Sequence, residues 1–270
     1  MSSYLRKKLY KYKQNKYLRF VYYSFKNILK TIFDAWFWRD YFKYKKENKR
    51  FKIPFIELWP ITYDKTEYTN FDGHYVYHVA WAIRKVLEIK NNKNIQKHVD
   101  FSSSLHFCSN LSAFLPVEFY DYRPAKLTLS GLKSGHADLT DLKNFDDNSI
   151  QSLSCMHVVE HIGLGRYGDL IDPEGDIKAI NELKRVCAVG GSILFVVPAG
   201  KERIQFNAHR IYSFDTVINL FGENFELKEF TLITDKNDFV EKINTEEAKN
   251  LTEKQSYGCG CFWFIKRYEK

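Results

Sequence analysis

Two groups of residues in this 270-residue chain have types and spacings that could do chemistry. The first is a series of acids, each at the end of a predicted short strand. Asp100 is followed by Ser102, Ser103 and Ser104, Asp121 comes 21 residues after Asp100, and His136-Ala137-Asp138 follows. Small residues after a strand let backbone N–H groups approach a ligand. An acid about 20 residues further on is placed to bind a ribose diol, and a third could accept a hydrogen bond from an adenine amino group. Tyr122 and Leu139, next to two of these acids, complete the candidate pocket. Strand-ending acids are also common turn formers, so the weight lies in their order along the chain, which favours a bound nucleoside. The second group suits proton transfer. His157, Glu160 and His161 follow an apolar run, and His209 stands in a polar stretch with Asn207, Arg210 and Tyr212. Arg166 and Tyr167, in a glycine-rich loop, could hold an anionic or sugar group. Groups of this kind can take a proton from a reacting hydroxyl.

Metal readings are weaker. His157-Val158-Val159-Glu160-His161 matches the His-x-x-Glu-His zinc pattern. That chemistry needs both histidines on one helical face, whereas His157 closes a predicted strand and glycines at 163, 165 and 168 cut any helix short. Asp169, Asp172, Glu174 and Asp176 could offer oxygen ligands to magnesium or calcium, but equally suit a solvated loop and an acidic helix start. Cys259-Gly260-Cys261 is too tight for a structural zinc site without another ligand pair and reads as the start of the last strand. No metal is assigned.

The elements that must hold these groups follow from periodicity. Tyr75, Val79, Ala82, Ile83, Val86 and Ile89 recur at helical spacing. Then come a strand over 97–101, a helix over 105–115, a strand over 117–120, a third strand region formed by 127–129 and the segment to Asp138, a strand over 149–156, a helix over 176–189 and the apolar strand 192–197, stopped by Pro198. Strands separated by helices build a parallel sheet covered on both faces. Two late strands, 225–234 and 261–266, show no helical pattern between them and suit an antiparallel edge. The expected fold is α/β, a doubly wound and mostly parallel Rossmann-like sheet with an N-terminal helical extension. Ligands then bind outside the carboxyl ends of the strands, where the acids and histidines stand.

Composition bounds the rest. Hydrophobic residues make up 44% of the chain, enough for a real core, which rules out disorder as the overall state. The net charge of +8 is unevenly spread. Residues 1–52 hold 16 Lys and Arg against three acids, while the remainder carries a net −5. The division predicted is therefore 1–52, basic and aromatic-rich, and 53–270, the α/β domain. Phe33, Trp36, Phe37, Tyr41 and Tyr44 share a helical face, and Leu18, Val21, Phe25, Ile28, Leu29 and Ile32 form a similar stripe. Such basic amphipathic helices dock on their own domain, on an anionic membrane surface or on a protein partner. A nucleic acid is not expected, because the body is acidic. Five cysteines without framework spacing point to a reducing, cytoplasmic setting. No apolar run approaches the roughly 18 residues of a membrane span.

The order Val99-Asp100-Phe101-Ser102, Phe119-Tyr120-Asp121, Gly135-His136-Ala137-Asp138-Leu139 and Met156-His157-Val158-Val159-Glu160-His161 resembles the class I S-adenosylmethionine-dependent methyltransferases. More closely, His157 to Asp169, Asp172-Pro173, Asn207-Ala208-His209-Arg210-Ile211-Tyr212 and Tyr257-Gly258-Cys259-Gly260-Cys261 resemble the family called domain of unknown function 268. The resemblance implies S-adenosylmethionine as cofactor, held by Asp100, Ser102, Ser103, Ser104, Asp121, Tyr122, Asp138, Leu139 and His157. His209, His161 and Glu160 would serve the acceptor, and Arg166, Tyr167, Asn207, Arg210 and Tyr212 would bind it. It also implies a place in surface-polysaccharide assembly. The acceptor is then a hydroxyl of a sugar, sugar nucleotide or lipid-linked glycan, and the protein lies in the cytoplasm or against the inner membrane face, with a homo-oligomer compatible. Where the family pattern has a glycine-rich turn this chain has three serines, which lack the freedom of glycine at positive φ. Two alternatives stay open: a nucleoside-binding pseudoenzyme, and a membrane-surface scaffold for glycan enzymes.

Overall fold

The computed structural model describes residues 34–268, which divide into two compact units, 34–70 and 71–268. The stripe from Leu18 to Ile32, and Phe33, lie outside the described residues. In the first unit the aromatic stretch forms helix α1 (Ala35–Glu47), with Lys45 and Lys46 in the last turn, where cations favour the helix dipole. None of its residues is buried. The segment after it is irregular apart from one 3-10 turn, Phe55–Glu57. It stays with the helix, because Phe55 stacks on Trp38 at 6.5 Å and the Lys65 ammonium lies 4.6 Å from the Trp36 ring. The unit boundary therefore falls at 70/71, past the polar loop. Among the described residues, no helix is long and apolar enough to cross a membrane.

The second unit is the expected doubly wound sheet. Helix α2 (Gly73–Lys93), capped by Asp72, leads to β1 (His98–Phe101), α3 (Leu105–Leu111), β2 (Val117–Asp121) and β3 (Leu132–His136). Then follow β4 (Ile150–Met156), α4 (Gly175–Val186) and β5 (Cys187–Ala199). A small hairpin, β6 (Arg203–Gln205) and β7 (His209–Ile211), precedes α5 (Phe214–Phe221). The chain closes with β8 (Phe225–Ile233), β9 (Phe239–Val240), α6 (Thr245–Glu253) and β10 (Gly258–Lys266). The strand order is β3-β2-β1-β4-β5-β10-β8-β9. Strands β1 to β5 run parallel, and β10 enters antiparallel between β5 and β8.

Both faces are covered. Trp81, Ala82, Val86 and Ile89 of α2 pack with Phe107 and Leu111 of α3 on one side, and Ile180, Leu183, Phe214 and Phe221 pack on the other. That double burial explains the unbroken apolar run of β5, in which Ile193 to Val197 are all fully buried. Several readings change. Strand β5 is not stopped by Pro198 but runs on to Ala199, β10 begins at Gly258 rather than at 261, and residues 127–129 lie outside β3. The helix expected over 176–189 ends at Val186, because Cys187 already begins the strand. The helix expected to Leu115 stops at Leu111. A helix, α6, does separate the late strands, since Asn244 caps it by accepting from Glu247 N–H at 2.9 Å and Ala248 and Thr252 are buried.

Candidate functional site

The carboxyl ends of β1 to β4 carry most of the predicted chemistry to one edge of the sheet. Register aligns Asp121 with His136 across β2 and β3, and Asp100 with Ser154 across β1 and β4. Two cavities open there. The smaller, about 310 Å³, is lined by Asp121, Tyr122, Asp138, Leu139 and Thr140 and by Val158, Ile162 and Gly163. The larger, about 950 Å³, is lined by His74, Tyr75, His209, Tyr257 and the serine turn. Ser102, His157, His161 and Tyr167 border both.

The serine turn takes the shape a glycine would give it. Ser102 sits at φ 59°, in the left-handed region, and its N–H and hydroxyl both donate to the Tyr120 carbonyl, at 2.8 and 3.2 Å. Ser103 Oγ accepts from Met156 N–H at 2.9 Å, and Ser104 caps α3 by accepting from Phe107 N–H at 3.2 Å. Asp100 lies beneath the turn and lines neither cavity. It is fully buried, accepts Ser103 N–H at 3.0 Å and takes the Ser154 hydroxyl in a short hydrogen bond. Burial pushes its carboxyl up to about 6, against the hydrogen bonds from Ser154 and Ser103. The acid expected to touch the cofactor instead holds the serine turn from beneath.

Asp121 and Asp138 remain in the cavity wall. Asp121 Oδ1 accepts Arg123 N–H at 2.6 Å, while Asp138 Oδ1 accepts the Thr140 N–H and hydroxyl at 2.9 and 2.7 Å. A cavity of this size, with leucine and tyrosine walls and a few acids, fits a nucleoside.

The larger cavity holds a histidine cluster. His157 Nδ1 lies 3.0 Å from Glu160 Oε1, and Glu160 is fully buried. Burial pushes Glu160 up to about 7, against the nearby charge of His161, and pushes His157 down to about 4. His161 donates from Nδ1 to the Ala208 carbonyl at 2.6 Å, which leaves Nε2 toward Glu160 at 3.7 Å. His209 donates from Nε2 to Gln205 Oε1 at 2.7 Å, leaving Nδ1 as the basic nitrogen. Burial lowers both His161 and His209 from the ordinary histidine value. Arg166 donates to the Ala208 carbonyl at 3.0 Å and lies over the Tyr167 ring at 5.1 Å.

Three predicted acceptor residues stand elsewhere. Asn207 is exposed and lines neither cavity. Arg210 is buried, donates to the carbonyls of Ile162 and Pro173 at 2.7 and 3.1 Å, and pairs with Asp176 at 3.5 Å. The Tyr212 hydroxyl donates to the same Asp176 at 2.7 Å. These two tie β7 to α4. The loop acids are likewise engaged: Asp169 accepts from the amides of Gly163, Gly165 and Tyr167, and Asp172 pairs with Lys178 at 2.7 Å. Gly163, at φ 78°, passes so close to the Asp172 carbonyl that a Cβ would lie 1.9 Å from it.

The residues missed are His74 and Tyr75, from the first turn of α2, with Tyr257 and Cys259 from the last strand and its approach. His74 stacks on His157 at 5.5 Å and on Tyr257 at 5.2 Å, and Tyr75 stacks on His157 at 5.6 Å. His78, one helical turn after His74, meets His157 edge-on at 5.1 Å. The four-residue spacing of His74 and His78 was the available signal.

Solved structures share the fold of this unit. A proposed sarcosine dimethylglycine methyltransferase from Galdieria sulphuraria matches with a TM-score of 0.51 at 12% identity, over 71% of this chain and 86% of that one. This is the fold of the class I methyltransferases. The N-methyltransferase NodS from Bradyrhizobium japonicum, in complex with S-adenosyl-L-homocysteine, matches at 0.49 and 11% identity, over 71% and 89%. A methyltransferase-like protein bound to the Trm112 activator from Haloferax volcanii matches at 0.47 and 15%, over 71% and 96%. Residues 136–257 match the family described as "Caenorhabditis protein of unknown function, DUF268". Among curated proteins nothing matches.

Proposed function

We propose that this chain binds S-adenosylmethionine across the two cavities and transfers its methyl group to a hydroxyl of a sugar, sugar nucleotide or lipid-linked glycan. One observation carries the reading: an acid-lined cavity of nucleoside size joins a histidine-lined cavity at Ser102 and His157. Asp121 would hold the ribose and Asp138 with Leu139 the adenine, with the Ser102–Ser104 turn beside the amino-acid end. The bound cofactor supplies an electrophilic methyl group.

The chain's own groups then manage the acceptor. Tyr75 and Tyr257 offer aromatic walls to the apolar face of a sugar, and Arg166 offers a cation to a phosphate. As the acceptor oxygen gains the methyl group, its proton passes to His209 Nδ1, which is the basic nitrogen because Nε2 donates to Gln205. His161 and the buried Glu160 set the electrostatics around that transfer. The basic, aromatic residues 1–52 would hold such an enzyme against an anionic surface, where a lipid-linked acceptor is presented.

Calorimetric titration with S-adenosylmethionine and, separately, S-adenosylhomocysteine tests the reading. Micromolar binding of both, followed by methyl transfer to a sugar acceptor, is expected. Binding without transfer to any hydroxyl acceptor would favour the pseudoenzyme, and no binding at millimolar ligand would remove the nucleoside site altogether.

A further inference from the structure

We infer that His74, His157 and Cys259 form a binding site for a divalent transition metal, zinc by ligand type, in the wall of the larger cavity. The three come from α2, the end of β4 and β10, and their donor atoms all lie within 4.8 Å of one another. A tetrahedral zinc ion with bonds of about 2.0–2.3 Å separates its donors by roughly 3.4–3.6 Å, so side-chain shifts of about an ångström close the site. The tightest pair already has that spacing: His157 Nε2 is 3.4 Å from Cys259 Sγ. Two imidazoles and a thiolate are a donor set that zinc prefers over the hard cations.

The surroundings are those of a metal site as well. His157 turns its other nitrogen, Nδ1, to Glu160 Oε1 at 3.0 Å. With that N–H donated to the carboxylate, the lone pair of Nε2 faces the sulfur, and a buried carboxylate fixing a histidine in this way is the usual outer support of a metal ligand. Glu160 Oε2 is buried without a hydrogen-bond partner, as is His78 Nε2. A cation bound beside His157 would compensate the buried acid. The His-x-x-Glu-His pattern thus contributes its first histidine as a ligand and its glutamate as the support. Its second histidine is tied to the Ala208 carbonyl.

Three protein ligands leave a fourth position, and His74 and His157 both face the cavity. An open position of this kind belongs to catalytic metal sites, where the ion acidifies a bound oxygen. Its use here to activate the acceptor hydroxyl rests on the methyl-transfer reading; the binding itself does not.

The experiment uses the full chain, stripped with chelator and titrated with cobalt(II) or zinc(II) alone, with metal content measured after dialysis. We expect about one ion per chain, and with cobalt both tetrahedral ligand-field bands and a sulfur-to-cobalt charge-transfer band. Cys259→Ser should lose the charge-transfer band, and His74→Ala should lose the ion at a concentration that saturates the parent. Glu160→Gln should keep the band and weaken affinity by about 10- to 100-fold. A folded parent chain that shows no charge-transfer band with excess cobalt overturns the site, whatever the variants do, as does a band that survives Cys259→Ser. Metal binding without any response to S-adenosylmethionine would keep this inference and sink the methyl-transfer reading.

Discussion

The Ser102 hydroxyl donates to the Tyr120 carbonyl at 3.2 Å while Ser102 itself sits at φ 59°. A left-handed conformation costs a non-glycine residue about 1–2 kcal/mol, and a net hydrogen bond returns about 1 kcal/mol of it. Ser102→Gly removes both effects and loosens the unfolded chain, so stability should move by less than about 1 kcal/mol and S-adenosylmethionine affinity should hold. Ser102→Val puts a β-branched side chain at positive φ and deletes the hydroxyl. It should cost about 2 kcal/mol or more and take nucleoside binding with it. Chemical denaturation and calorimetry of the two variants decide the point, and a Val variant that binds normally would show that the turn does not form the site.

Asp121, in the wall of the smaller cavity, is the acid proposed to hold the ribose. Its Oδ1 is already used by the Arg123 amide, so the deletion tests Oδ2 and the turn together. Asp121→Ala should weaken S-adenosylhomocysteine by about 1–3 kcal/mol, roughly 5- to 150-fold. Asp121→Asn keeps the amide contact and separates the two effects. Unchanged affinity in both variants would take Asp121 out of the site.

The parts of this site that the sequence announced are those that sit on a strand's own end. Asp121, Asp138, His157 and the serine turn could be placed because each stands at or just after the end of a short strand, and the sheet brings those ends to one edge. Asp100 carried the same signal but faces inward, and no pattern in one strand tells a rim position from the one below it. Which residues His74 and Cys259 would meet was beyond reach, because the two arrive on a helix before the sheet and on its last strand. Their meeting with His157 depends on β10 lying between β5 and β8. Arg210 and Tyr212 were misplaced because a short hairpin, invisible to periodicity, turns them toward Asp176.

Asp100 also makes a pH prediction. His98, in the same buried network, has its ring nitrogens 2.8 Å from the hydroxyls of Ser152 and Ser154, and burial pushes it down to about 3. The unfolded chain takes up that proton from pH 6.5 downward, so His98 alone would lower stability as pH falls from about 6.5 to 3. Asp100, raised from 3.8 to about 6, has the opposite sign: the folded chain takes up its proton first, and stability rises as pH falls from about 6 to 4. Asp100→Asn removes only the second effect. Relative to this variant, the parent chain should gain up to about 1.4 kcal/mol per pH unit between pH 6 and 4. Urea midpoints measured for both proteins across that range check it, and a flat difference would mean the carboxyl is not raised.

His209 should set the acid side of activity. The folded value is lowered by burial, so the neutral, proton-accepting form persists below pH 6.5 and the rate should fall only as pH drops further. His209→Gln should lower kcat by about 10²- to 10⁴-fold and leave S-adenosylmethionine binding intact. The pH–rate profile of the variant should lose that acid limb. A limb retained at the same pH would shift the role of base to His161.

Arg210 should behave as a structural cation. It is buried, donates to two carbonyls and, with the Tyr212 hydroxyl, answers the charge of Asp176. Removing one partner of a buried pair strands the other, at about 3–5 kcal/mol. Arg210→Ala should therefore lower stability by that amount, and Tyr212→Phe by about 1–3 kcal/mol. The combined change Arg210→Met, Asp176→Leu and Tyr212→Phe should recover much of the first loss, because neither a charge nor the Tyr212 hydroxyl is then left buried without a partner. Asn207→Ala, at an exposed position, should stay within about 0.5 kcal/mol of the parent. If Arg210→Ala instead kept full stability and raised the KM for acceptor, the guanidinium would belong to the acceptor site and the tie between β7 and α4 would rest on Tyr212 alone.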